Sequence, residues 1–317
     1  MKKIAVRPIK AKTSLTLKSL GKIIFYLLAT VILGALLAPP LYWGGHWLAD
    51  HGILTWLGET PFRKFFHRGL LIAAIVLLWP TARWLQVPGL HALGINPNPR
   101  RWEDALVGFA ASFLMMVALA AVLLGLEVVR LRQHVHGLDL VKIATSAVVV
   151  SILEEWLFRG AILGLLARSM HRNGALFLTS ALFSILHFLK PNDNAVPQTV
   201  NWLSGFGLIP GSFAQFSQPW LVLGGFTTLF CMAWILGYSR FKTGSLWMAI
   251  GLHTGWVFGL MSFNKITKRL IKDTLPWFGE NLAVGFASVI VVLLTGLLLW
   301  AWFTYVRPDS KNHPQRG

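Results

Sequence analysis

Apolar residues in this chain come in long unbroken runs, without the apolar–polar alternation of a barrel strand. Eight runs approach or exceed the roughly 20 residues a helix needs to cross about 30 Å of hydrocarbon. They are 22–43, 69–87, 105–128, 142–167, 174–190, 218–237, 244–262 and 285–306. Backbone polar groups in lipid must satisfy one another, and only helices do this within a single continuous apolar segment. The pattern therefore predicts an all-α fold, a polytopic transmembrane helix bundle of about eight spans. One bundle over 22–306 is expected between a basic tail at 1–22 and a second basic tail at 307–317. The first run is longer than the apolar core of a cleaved signal peptide, so it reads as an uncleaved anchor.

Composition sharpens this picture. Of 317 residues, 55% are hydrophobic and 13% charged, against about 25% charged in a soluble domain. That excludes an ordinary cytosolic enzyme, a disordered chain and a secreted disulfide scaffold. The net charge of +17 would suggest nucleic acid in a soluble protein. Here the cations lie between apolar runs, as in loops and tails beside lipid headgroups, and no nucleic-acid partner is implied. With both termini cytoplasmic, 17 Lys and Arg fall on that side and 11 on the other, and the N-terminal tail makes the difference. A lone Cys231 excludes an internal disulfide and any multi-thiolate metal site.

Three connections carry their own expectations. Residues 45–67 mix Trp47, Trp56, Phe62, Phe65 and Phe66 with charges and are expected along the membrane interface. Residues 264–275 set Lys265, Lys268, Arg269 and Lys272 at helical spacing, the pattern of an in-plane basic amphipathic helix or of a solvated loop. The stretch 191–217 combines turn residues with Trp202, Phe206, Phe213 and Phe216, which fits a re-entrant lid or a surface loop.

The chemistry concentrates in one segment. Among the acids, only Glu154 and Glu155 lie near the middle of a span, and Arg159 is the one cation equally deep. Each costs about 2.5–3.5 kcal/mol at the centre of an isolated membrane helix, so all three must face protein or water. Glu155 and Arg159 are four residues apart and can pair on one face, whereas Glu154 points about 100° away. A buried Glu155–Arg159 pair that only locks helices together would leave Glu154 unexplained. Two of the ten histidines are also deep: His187 near the end of the fifth run and His253 in the seventh. One carboxylate and two imidazoles can activate a water as general base and acid, or hold a zinc ion with an open position. Gly251, Thr254 and Gly255 would let helices approach closely there.

Other chemistries fail on the letters. There is no His-Glu-x-x-His, no Gly-x-Ser-x-Gly and no pair of Asp within the spans. Ser184 is three residues from His187, but a serine in a membrane helix commonly bonds its own i−4 carbonyl. Cys231 reads as a small core residue.

Glu154-Glu155-x-x-x-Arg159, then Phe183-x-x-x-His187, then His253 after Ser245-Leu246-Trp247-x-Ala249-Ile250-Gly251-Leu252 resemble three motifs of one family. It comprises the CAAX prenyl proteases and bacteriocin-processing (CPBP, or Abi) proteins, which are multi-spanning intramembrane endopeptidases. The resemblance covers roughly 142–262, which would be the catalytic core. It implies Glu154 as the general base assisted by His187, Glu155 and Arg159 as supporting or substrate-positioning groups, and His253 as a stabiliser of the oxyanion. Both glutamate-activated water and a bound metal remain open mechanisms, with zinc the implied ion and Glu154, His187 and His253 its candidate ligands. The implied partners are the lipid bilayer and a membrane-associated or lipidated peptide substrate, in a bacterial inner membrane. One departure stands out: the family commonly carries Asn four residues after the third-motif His, and here Val257 occupies that place. A non-catalytic homologue that binds hydrophobic peptides is therefore an alternative. A proton-coupled transporter using Glu154, Glu155 and His187 is another, although no internal repeat supports it.

Overall fold

The computed structural model describes residues 10–85, 96–189, 199–217, 219–271, 276–279, 282 and 284–307. The chain divides into two compact units, one made of 1–92, 161–175 and 185–219, the other of 93–160, 176–184 and 220–317.

In the first unit, helix α1 (Lys10–Asp50) packs along α2 (Phe62–Trp84). Their axes come close where Gly34 and Gly69 meet, and a Cβ on Gly69 would lie 2.6 Å from the Gly34 carbonyl oxygen. Tyr26 donates its hydroxyl to the Ala74 carbonyl at 2.7 Å, satisfying a polar group inside this pair. The aromatic residues expected at the interface separate by role. Trp47 and Trp56 are exposed, but Phe62, Phe65 and Phe66 are core residues, because α2 begins at Phe62 and turns them toward α1 and the loop before it. The first unit also holds α5 (Leu163–Ser169) and α7 (Ser204–Gly211), both packed on α1. Part of the expected lid or loop is thus a helix with Leu208 in the core; residues 191–198 of that stretch lie outside the described residues.

The second unit is built on α3 (Arg101–Gly125), α4 (Gly137–Glu155), α8 (Pro219–Thr243), α9 (Trp247–Ile266) and α10 (Phe286–Ala301). Helix α6 (Arg172–Phe188) contributes its middle turns to this unit. Helix α9 is central, with α3 on one side and α4 on another. The core joins Met116, Leu123, Leu236, Met248, Leu252 and Leu299, with Cys231 packed against it as expected of a small apolar residue. On α10, Val291, Val292, Thr295 and Leu299 point inward while Ile290, Leu293, Leu297 and Trp300 are exposed. A helix apolar on both faces belongs in lipid.

The chain is an integral membrane protein, and its span count is lower than the pattern suggests. Among the described residues five helices are long and apolar enough to cross: Gly21–Asp50, Phe62–Trp84, Arg101–Gly125, Val222–Thr243 and Phe286–Val306. The runs at 142–167, 174–190 and 244–262 are also helical. However, α6 has 17 residues, α4 carries four charged side chains (Asp139, Lys142, Glu154, Glu155), and α9 is diluted by His253, Thr254 and glycines. The helices that bear the chemistry are those least suited to lipid.

A second correction concerns 264–275. Helix α9 ends at Ile266, and Thr267–Arg269 form strand β2, antiparallel to β1 (Val129–Leu131) with Val129 opposite Arg269 and Leu131 opposite Thr267. β-Branched residues in both segments favour the extended state, and the pairing supplies backbone partners that an in-plane helix would have made internally. Lys272 lies outside the described residues.

Candidate functional site

Helix α4 ends at Glu155 and continues into a π-helical turn, Trp156–Ile162, before α5. Such widened turns are frequent at functional sites. This one starts directly after the two glutamates and contains Arg159.

Helix α9 delivers His253. Gly251 and Gly255 face α3: a Cβ on Gly251 would collide with the Ala105 carbonyl, and one on Gly255 would lie 2.6 Å from the Phe109 carbonyl oxygen. Close approach of α3 therefore fixes the rotation of α9. His253, two residues from each glycine, is about 200° around the helix and points toward α4. The small residues at 251 and 255 thus do what their size implied.

The resulting geometry is a chain of charged and polar groups. Arg159 Nη1 donates to Glu155 Oε1 at 2.8 Å. His253 Nδ1 lies 2.7 Å from the same oxygen. An ionised carboxylate only accepts, so Nδ1 carries the proton and donates it. The other ring nitrogen, Nε2, then faces Glu154, whose Oε2 is 3.8 Å away. That gap is beyond direct hydrogen bonding and is the spacing at which a water can mediate. Glu155 and Arg159 have no exposed surface, His253 is nearly buried, and the Glu154 side chain is 24% exposed. The site thus has a dry, ionic interior and one carboxylate reaching an open edge.

Phe183 completes the support. Its ring lies 4.4 Å from the Arg159 guanidinium carbon, packs edge-to-face on Phe158 at 5.0 Å and lies edge-on to His253 at 6.1 Å. The π-face attracts the cation where Nε and Nη2 of Arg159 find no hydrogen bond among the described residues. The motif spacing carried Phe183 as a letter only, and nothing in the sequence distinguished a cation–π support from ordinary core packing.

The structure therefore brings together Glu154, Glu155, Arg159 and His253. His187, half-buried in the last turn of α6, belongs to the first unit. Ser184 donates to the Ser180 carbonyl at 2.9 Å, the i−4 bond its setting implied. Val257 is half-buried on α9 and offers no side-chain donor.

Residues 136–259 match a family model described as type II CAAX prenyl endopeptidase Rce1-like. The match spans about two fifths of the chain. The match agrees with the family that the three motifs resemble, and it contains the four assembled residues together with His187 and Val257. Comparison with curated proteins and with solved structures found no match.

The same side chains bear on a metal centre. Glu154 and His253 offer two donor atoms toward one gap, while Nδ1 of His253 is committed to Glu155. Among the described residues no group of three or more His, Cys, Asp or Glu side chains is placed to hold a metal ion. This donor set does not fit the three protein ligands of a catalytic zinc site.

Proposed function

We propose that this protein is an intramembrane endopeptidase that hydrolyses a peptide bond of a membrane-associated peptide with a water activated by Glu154. The observation that supports this reading is the position of His253, held through Nδ1 by the buried Glu155–Arg159 pair and turned through Nε2 toward a partly exposed Glu154.

The chemistry follows from these roles. A water in the gap gives a proton to the Glu154 carboxylate as its oxygen bonds to the scissile carbonyl carbon, and the carbonyl π pair moves onto oxygen. His253, held through Nδ1 by Glu155, donates from Nε2 to the oxyanion when the ring carries both protons. Collapse restores the carbonyl and breaks the C–N bond, and Glu154 returns its proton to the leaving amine. The resemblance of the second motif implies an assisting role for His187 as well. Arg159 neutralises Glu155, which leaves Glu154 as the carboxylate that takes the proton, and the negative charge passes from it to the oxyanion.

The test is Glu154→Gln, which preserves shape but cannot take the proton. Cleavage of a membrane-tethered reporter peptide should fall by about 10²–10⁴-fold, with the purified protein folded by circular dichroism. Cleavage at the wild-type rate overturns the assignment.

A second reading, a homologue that binds peptide without turnover, is favoured by Val257, where a side-chain donor would otherwise reach the oxyanion. One such donor is worth about 10²–10³ in kcat. A rise in cleavage in Val257→Asn marks an enzyme working below its capacity. Peptide binding with no cleavage in either form marks the binder.

A further inference from the structure

The basic residues expected on an amphipathic helix find another use. Strands β1 and β2, with the residue after β1, gather Arg130, Arg132, Lys268 and Arg269 at the end of α3 and α9, with Lys142 and Lys265 on the adjoining helices. Beside the strands lies a cavity of about 180 Å³. Leu123, Val128, Phe263 and Leu282 form its buried apolar floor, while Arg132 and Asn264 line it from exposed positions.

The two cavity arginines behave differently. Arg269 spends its guanidinium on backbone, with Nε on the Ile271 carbonyl at 3.0 Å, Nη1 on Gly279 at 2.5 Å and Nη2 on Phe278 at 3.3 Å. It is a strut that ties 278–279 to β2. Arg132 donates only Nε, to the Thr267 carbonyl at 2.8 Å. That bond aims the guanidinium, and among the described residues its two terminal nitrogens take no partner. An oriented pair of N–H donors suits an oxyanion in bidentate geometry. Exposed Arg130 and Lys268 add positive charge, and nearby Lys265 is already paired with Asp139 at 2.8 Å.

An oxyanion joined to an apolar body satisfies both halves of this site. We propose that the β1–β2 end of the second unit binds an anionic phospholipid, with its phosphate on the Arg132 fork and its glycerol and first acyl carbons over the Leu123–Phe263 floor. Charge complementarity and the bilayer around the flanking spans select this occupant. The site is separate from Glu154 and does not depend on the protease assignment.

The experiment measures thermal unfolding of the full-length protein in mild detergent against added phosphatidylglycerol, phosphatidylcholine or inorganic phosphate. Phosphatidylglycerol should raise the midpoint, the other two should not, and Arg132→Ala should weaken the apparent phosphatidylglycerol affinity about tenfold, the loss of one charged hydrogen-bonding group. Arg132→Lys should keep part of it. Should Arg132→Ala fail to fold, the double variant Arg130→Ala, Lys268→Ala carries the test and must weaken the same shift. Equal stabilisation by phosphatidylcholine, an equal shift with inorganic phosphate alone, or a shift unchanged in the variants overturns the proposal. Glu154→Gln should retain the full lipid shift, so loss of cleavage and loss of lipid binding are read separately.

Discussion

Asp104 and Glu155 are both carboxylates with no exposed surface, both lie in the second unit, and both face an arginine. Their surroundings differ. Asp104 has partners on both oxygens: Arg307 on Oδ1, and Asn98 Nδ2 at 2.8 Å on Oδ2. Asn98 also reaches Ser245 Oγ at 2.7 Å, so the first turn of α3, the start of α9 and the end of the helical turn Trp302–Val306 share one network. Glu155 takes two donors on one oxygen, Arg159 and His253, and leaves Oε2 without a hydrogen bond among the described residues. The saturated centre has nothing left to offer a ligand. The lopsided one transmits its charge through an imidazole to a second carboxylate at an open edge. Burial and an ion pair are common to both, and the direction in which unspent hydrogen-bonding capacity points separates a lock from a site.

That contrast can be broken from either side. The largest effect is expected for Glu155→Leu, which strands a fully buried Arg159 and frees His253. Breaking such a pair costs about 3–5 kcal/mol, read as a fall in the denaturation midpoint with loss of peptide cleavage. Asp104→Ala should cost about 1–3 kcal/mol, because Arg307 is 22% exposed and can recover water. Its cleavage rate should stay at the wild-type level wherever the protein is folded. A loss of cleavage in folded Asp104→Ala, or full cleavage in Glu155→Leu, would remove the distinction between the two centres.

The smallest effect comes from the exposed pair at the start of α4. Lys265 hydrogen-bonds to Asp139 and holds its carboxyl below the ordinary Asp value of 3.8. A depressed folded value means that the pair stabilises above pH 3.8 and that this contribution fades as pH falls through the folded value. Wild type and Asp139→Asn should therefore converge in stability at low pH and differ slightly near neutrality. A gap that widens on acidification would contradict that sign.

Much of the site was legible because its logic is local. Glu155 and Arg159 stand one turn apart on a continuous helix, and deep charges in an apolar run have few alternatives to pairing. What escaped was carried by distance along the chain. His253 reaches Glu155 across 98 residues, and no spacing rule indicates which ring nitrogen meets which carboxylate. Asp104 stands at the edge of an apolar run, and nothing near it in the sequence indicates that Arg307, 203 residues later, meets it. The basic stretch after α9 had helical periodicity, yet Thr267–Arg269 joined β1, since strand pairing depends on a partner elsewhere in the chain.

The sequence alone determined that this protein lives in a membrane, that it is helical, and that one short segment holds charges lipid would not tolerate. These follow from composition and from the period of the α-helix, which every stretch of chain carries within itself. Tertiary structure decided which runs are long and apolar enough to span, which acid is held and which is presented, and where the cations gather. Those outcomes depend on how closely α3 can approach two glycines of α9, and such packing exists only once distant parts of the chain have met.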